Sequence, residues 1–147
     1  MNRKVAPLFA PAVLWALGLR ALEAAGPPET VHVTYHVREG KLDEFLEVLK
    51  RHYPTCRRLG LVLADPHIIL SGKEEGGKPV VIEILRWKDS DAPDSVREHY
   101  PDVQKIWDRL NALTEKRDDK RNIEIDEMDI VAGPGSAAPA SKKAAGT

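Results

Sequence analysis

The chain has 147 residues, 31% of them charged, and a formal net charge of -1 at pH 7. That length suits one domain, and the balanced charge supplies no long-range field to attract nucleic acid or an acidic ligand. Cys56 is the single cysteine, which excludes an intramolecular disulfide and any cluster of cysteine metal ligands.

Residues 1–25 read as a secretory signal peptide. Asn2-Arg3-Lys4 is a short basic start, and Val5 to Leu19 is uncharged and mostly apolar. Ala21-Leu22-Glu23-Ala24-Ala25-Gly26 then supplies small residues ahead of Pro27-Pro28. Glu23 falls within the box for cutting after Ala25, so cutting after Ala24 stays open. An amphipathic extension and an uncleaved anchor are the other readings. The apolar run is short of the roughly 20 residues a spanning helix needs. The expectation is a periplasmic or secreted protein without stable membrane insertion. Residues 132–147 are dominated by Gly, Pro, Ala, Ser and Lys. They contain no large apolar side chain and read as a disordered tail. Residues 30–131 are left as the folded domain.

Val31-His32-Val33-Thr34-Tyr35-His36-Val37 alternates strictly, which predicts a strand with Val31, Val33, Tyr35 and Val37 on one face. Arg38-Glu39-Gly40 is the turn. Leu42, Phe45, Leu46, Leu49 and Tyr53 form the apolar stripe of a helix over 41–53, and Cys56 extends it as a buried, inert thiol. Pro54 predicts a kink or break, with a short second segment running to Leu59 and Gly60 as its C-terminal cap. His67 to Ser71 is a second strand, and Gly76-Gly77 turns the chain into a third, Pro79–Trp87. Several N-cap candidates and Pro93 open a helix over 94–115, interrupted near Pro101. Val103, Ile106, Trp107, Leu110 and Leu113 make its stripe. Ile123–Val131 is the last strand.

The order β-α-β-β-α-β predicts an α+β, ferredoxin-like sandwich, an antiparallel sheet with helices on one face. Right-handed crossovers put the first and third strands in the centre. The helix side is assigned to the odd residues of the first strand together with Val80, Ile82 and Ile84. The open side then carries His32, Thr34, His36, Val81, Glu83, Leu85 and Trp87. Such an apolar face predicts a homodimer packed sheet to sheet.

With these features in place, residues 32–131 resemble the dimeric α/β-barrel superfamily, and within it the antibiotic-biosynthesis-monooxygenase-like group. The resemblance rests on the first strand ending in Arg38-Glu39-Gly40-Lys41, the helix Leu42-Asp43-Glu44-Phe45-Leu46, the strand ending Glu83-Ile84-Leu85-Arg86-Trp87, and His99-Tyr100-Pro101 followed by Ile106-Trp107. It implies a dimer with a cleft between helices and sheet. Some members oxidise small aromatic compounds without metal or bound cofactor, and some open haem. The haem-degrading branch uses an Asn on the first strand, where this chain has His32, Thr34 and His36. That departure speaks against haem chemistry, although Trp87 and His99 stand at comparable places.

His32 and His36 lie four strand residues apart, roughly 13 Å, too far to share one metal ion. No metal site is expected. Neither a nucleophile elbow nor a phosphate-binding loop occurs. The candidates for proton transfer are His99, at the mouth of the cleft, and the pair His36 and Glu83. The candidates for ligand contact are Tyr35, Trp87, Tyr100 and Trp107. The expected function is binding or cofactor-independent oxidation of a small organic ligand. The alternative is a non-catalytic ligand-binding or stress-associated module.

Overall fold

The computed structural model of the protein describes residues 25–136. The signal-like segment as far as residue 24 and the tail from residue 137 lie outside the described residues. The elements run β1 (Glu29–His36), α1 (Leu42–Arg58), β2 (Val62–Lys73), β3 (Pro79–Trp87), α2 (Ala92–His99), α3 (Pro101–Ala112) and β4 (Ile123–Met128). All strand pairs are antiparallel, and the sheet order is β2-β3-β1-β4. This is the ferredoxin-like α+β sandwich, with the first and third strands central as expected.

Two local expectations change. First, α1 passes through Pro54 as one helix. Residue 54 has no N–H to give the Lys50 carbonyl. However, Thr55 Oγ1 donates to the Arg51 carbonyl at 2.7 Å, and Phe45, Val48, Leu49, His52 and Cys56 are buried along one side. Packing of that stripe outweighs the one missing bond. Second, β2 begins at Val62, well before His67, with its register irregular between the two. The interruption expected near Pro101 is present: the second helical region is two helices, parted at Tyr100 (φ -126°, ψ 73°), with Pro101 opening α3. The residue before a proline is pushed out of helical geometry.

The larger correction concerns the faces of the sheet. Val31 pairs with Leu85, Val33 with Glu83 and Tyr35 with Val81. Directly paired residues share a face. Val81, Glu83, Leu85 and Trp87 therefore lie on the helix side with Val31, Val33 and Tyr35, and all are buried. Val80, Ile82 and Ile84 lie on the open side, opposite to the expected assignment. Both faces of β3 are apolar, so alternation alone cannot choose between them; the partner strand does.

The open side holds half-buried Ile82 and Ile84 beside Ile68 (46% exposed), Leu70 (52%) and Met128 (50%). Across it, Arg86 Nη1 donates to the Gly135 carbonyl at 2.8 Å, tying the chain after β4 back to β3. Among the described residues, no helix is long and apolar enough to cross a membrane.

Gly60 closes α1 at φ +70°, with nothing within 4 Å of an added Cβ. Its N–H donates to the Arg57 carbonyl at 3.0 Å. The cost of Gly60→Ala is therefore conformational, about 1–2 kcal/mol, measured as a lower urea midpoint with unchanged slope.

Candidate functional site

Glu83 has no exposed surface. Its place in the middle of β3 brings it under α1, between β1 and β2. Tyr35 Oη, from β1, donates to Oε2 at 3.0 Å. His52 Nδ1, from α1, lies 3.1 Å from Oε2 and 3.2 Å from Oε1. His67 Nε2, from β2, lies 3.3 Å from Oε1. Trp107, from α3, donates its Nε1–H to His52 Nε2 at 3.0 Å. Five side chains from five elements thus form one connected polar centre beneath the helix layer.

The electrostatics follow from that geometry. Burial alone would raise the Glu83 carboxyl. The His52 charge and the hydrogen bonds from His52, His67 and Tyr35 pull it the other way, from 4.5 to about 2. Burial likewise works against an imidazolium at His52. The Glu83 charge, with hydrogen bonding to Cys56 and Glu83, outweighs burial and lifts the ring from 6.5 to about 10. Tyr35 is pushed well above 10, by burial first and then by the Glu83 charge.

Trp107 opposes the pull on His52. An indole N–H can only donate, so the contact at Nε2 requires a lone pair there and puts the ring proton at Nδ1, against Glu83. An imidazolium would instead set two N–H groups against each other. The neutral Nδ1–H tautomer satisfies both neighbours, and we take it as the resting form. The raised proton affinity then describes what happens when something accepts the indole proton or turns it aside.

A cleft of about 680 Å³ opens beside this centre. Val31, Val33, Leu85, Trp87 and Trp107 form its apolar walls, and Tyr35 and His52 reach it from below. Trp87 and Trp107 meet edge to face, with ring centroids 6.2 Å apart. Arg97, Asn111 and Glu127 contribute polar groups to the lining. On the β4 side the cleft is bordered by Ile125, which is 65% exposed.

The structure brings together Glu83, Tyr35, Trp87 and Trp107 from the residues singled out in the sequence. It does not bring the others. His99 is exposed on α2 and lies 3.5 Å from Glu98. Tyr100 is half-buried at the helix break and does not line the cleft. His36 cannot pair with Glu83, because the two point to opposite faces of the sheet. His36 instead meets Glu124 Oε2 through Nε2 at 2.8 Å and lies 2.9 Å from Glu74 Oε1 through Nδ1. Arg117 sits behind it, bonded to the Val37 carbonyl.

Sequence reading missed His52 as a participant. Its signal was present: Phe45, Leu49, His52 and Cys56 recur at helical spacing, so His52 is a polar residue on a buried stripe. Among the described residues, no group of three or more His, Cys, Asp or Glu side chains is placed to hold a metal ion.

No protein-family profile matches the sequence, and no curated protein matches it. Solved structures match through the fold. The cofactor-independent oxygenase SnoaB from Streptomyces nogalater is 18% identical with a TM-score of 0.51, over 76% of this chain and 100% of that one. A Bacteroides thetaiotaomicron protein assigned to the antibiotic biosynthesis monooxygenases is 14% identical with a TM-score of 0.54, over 76% and 97%. An antibiotic biosynthesis monooxygenase is 19% identical with a TM-score of 0.50, over 71% and 99%. The resemblance drawn from the sequence therefore extends to the fold, and at these identities the likeness is one of fold alone.

Removing Glu83 leaves three donors without an acceptor. Glu83→Ala should destabilise the protein by roughly 3–5 kcal/mol, read by urea denaturation. The lowered Glu83 value gives stability that is present above about 4.5 and lost as pH falls toward about 2. Glu83→Gln should flatten the denaturation profile in that window.

Proposed function

We propose that the cleft binds a small organic molecule bearing an acidic hydroxyl and oxidises it without a bound cofactor, in an exported homodimer. The observation that carries this reading is the direction of His52. Glu83 holds the Nδ1–H behind the ring, and the opposite nitrogen is aimed at Trp107 on the wall of the cleft. A ligand hydroxyl that displaces the indole meets a base whose tautomer is fixed and whose imidazolium is stabilised in advance. Trp87 and Trp107 supply flat apolar walls suited to an aromatic ring.

Loss of the hydroxyl proton makes such a ring electron-rich, and dioxygen then accepts its electrons. Conversion of one ring C–H to C=O, with release of one water, balances one dioxygen consumed. The fold shared with a cofactor-independent oxygenase supports this reading.

The homodimer is supported by the open sheet face, where Ile68, Leu70, Ile82 and Ile84 make an apolar patch of a kind monomers rarely expose. A two-fold partner would cover it. Export is supported by the basic, apolar and small-residue order of residues 1–25.

One observation favours the second reading, a non-catalytic ligand-binding or stress-associated module. His52 already has both ring nitrogens bonded within the chain.

Thermal denaturation with a panel of hydroxylated aromatic and quinone-like compounds separates these readings. A true ligand at a hundredfold excess over its Kd should stabilise by about 2.7 kcal/mol. Dioxygen uptake with that ligand, abolished in His52→Gln, is the expected outcome. Binding without uptake supports the module, and no binding rejects both. In sedimentation the protein should run at twice its chain mass, and Ile84→Lys should halve it.

A further inference from the structure

Where α3 ends beside the start of β4, the hydrogen bonds at the cleft leave one donor unspent. We infer, resting on the reading of the cleft given above, that Asn111 is a ligand-binding residue. Its amide N–H receives an uncharged oxygen, of the carbonyl kind, on the same molecule that offers its hydroxyl to His52.

The neighbours of Asn111 fix which way its amide turns. Thr114 Oγ1 donates its single proton to the Asn111 backbone carbonyl at 2.9 Å. The hydroxyl oxygen can then only accept, and Asn122 Nδ2 donates to it at 2.9 Å. The other proton of Asn122 Nδ2 goes to the Asn111 side chain at 2.8 Å. A donor must meet an acceptor, so the atom of Asn111 turned toward Asn122 is Oδ1. Nδ2 is left on the other side of the amide, and among the described residues its two protons have no acceptor. Asn111 is exposed and lines the cleft together with Asn122.

The donors nearest to it are committed. Tyr35 gives its hydroxyl proton to Glu83, Trp107 its indole proton to His52, and Asn122 both of its amide protons. Ser90 belongs to the opposite end, beside Glu29 and Glu127. The spacing also fits one molecule. Asn111 follows Trp107 by four residues on α3, so the two side chains share a helix face, about 6 Å apart along the axis. A six-membered ring with para substituents spans that step. A ring hydroxyl that displaces the indole at His52 then brings the para substituent to the Asn111 amide.

The charge of the lining decides the kind of oxygen. Glu29, Asp94, Asp108 and Glu127 stand in it against Arg97, and Arg97 Nη1 already lies 3.7 Å from Asp94 Oδ1. A ligand carboxylate would meet like charge on entry, which disfavours it. A carbonyl oxygen accepts from Asn111 without that penalty.

The test compares two phenols with similarly acidic hydroxyls, titrated calorimetrically into the full-length protein. 4-Hydroxyacetophenone has a carbonyl para to the hydroxyl, and 4-(trifluoromethyl)phenol has none. The wild type should hold the ketone about tenfold more tightly, the upper end for an uncharged hydrogen bond. Asn111→Asp keeps the oxygen that Asn122 needs and removes the donor, so it should erase that preference; a residue that only braced the end of α3 would leave it intact. 4-Hydroxybenzoate, with a carboxylate in the same position, should bind more weakly than the ketone. Equal affinity of the two phenols for the wild type overturns the assignment. So does a preference that survives Asn111→Asp, or a benzoate that binds as tightly as the ketone. If Asn111→Asp does not fold, Asn111→Ala is read by the same criterion. Binding of neither phenol sinks the reading of the cleft together with this assignment, whereas equal binding of both sinks the assignment alone.

Discussion

Glu83 is an ion without access to water, and most of the helix side of the fold is arranged to make that tolerable. Taking a carboxylate out of water costs several kcal/mol even after the surroundings relax. The cost is offset only when donors converge on it. Here they come from β1, α1 and β2, so three separate features of the fold must be right at once. The pairing of Val33 with Glu83 sets the register. The phase of α1 must place His52 over β3. The irregular stretch of β2 between Val62 and His67 must deliver His67 to the same carboxylate. An apolar residue at 83 would relax all three requirements. A buried ion kept at this cost is better explained by chemistry than by stability.

β1 serves a second polar centre with its other face. Tyr35 turns inward to Glu83, and its neighbour His36 turns outward to Glu74 and Glu124. Arg117, from the segment after α3, closes that outer cluster. It contacts Glu74 and Glu115 and bonds to the carbonyls of Val37 and Pro79. The outer cluster joins the ends of β1 and β3 to the connection that leads into β4. Its role is to fix the sheet end, and it stands apart from the cleft. His32 and His36, four residues apart on one strand, share the open face, and neither reaches the centre beneath the helices.

The elements and their order were legible because β1 alternates strictly and both helical regions carry clear stripes. The central position of β3 followed from its apolar content and the handedness of crossovers. Its face did not follow, because Val80, Ile82 and Ile84 look as suitable for a core as Val81 and Leu85. The error moved Glu83 to the wrong side and produced the pairing with His36. The oddity of Glu83, a lone carboxylate in an apolar strand, was nonetheless visible in the sequence. Its partners were not: Tyr35, His52 and His67 lie 48, 31 and 16 residues away, and only the register and helix phase bring them together. His99 attracted attention through its neighbours Tyr100 and Pro101. The helix break there is real, but it points the imidazole to solvent.

The placement of the tryptophans has a practical consequence. The chain contains three, and two of them, Trp87 and Trp107, stand edge to face at the cleft with Trp107 bonded directly to His52. Their electronic transitions couple at that separation, and the indole N–H bond responds to the charge on the imidazole. The protein therefore carries an intrinsic optical reporter at the point where a ligand would first be felt. Near-ultraviolet circular dichroism and fluorescence can follow changes in the cleft, and the protonation of His52, without any added label.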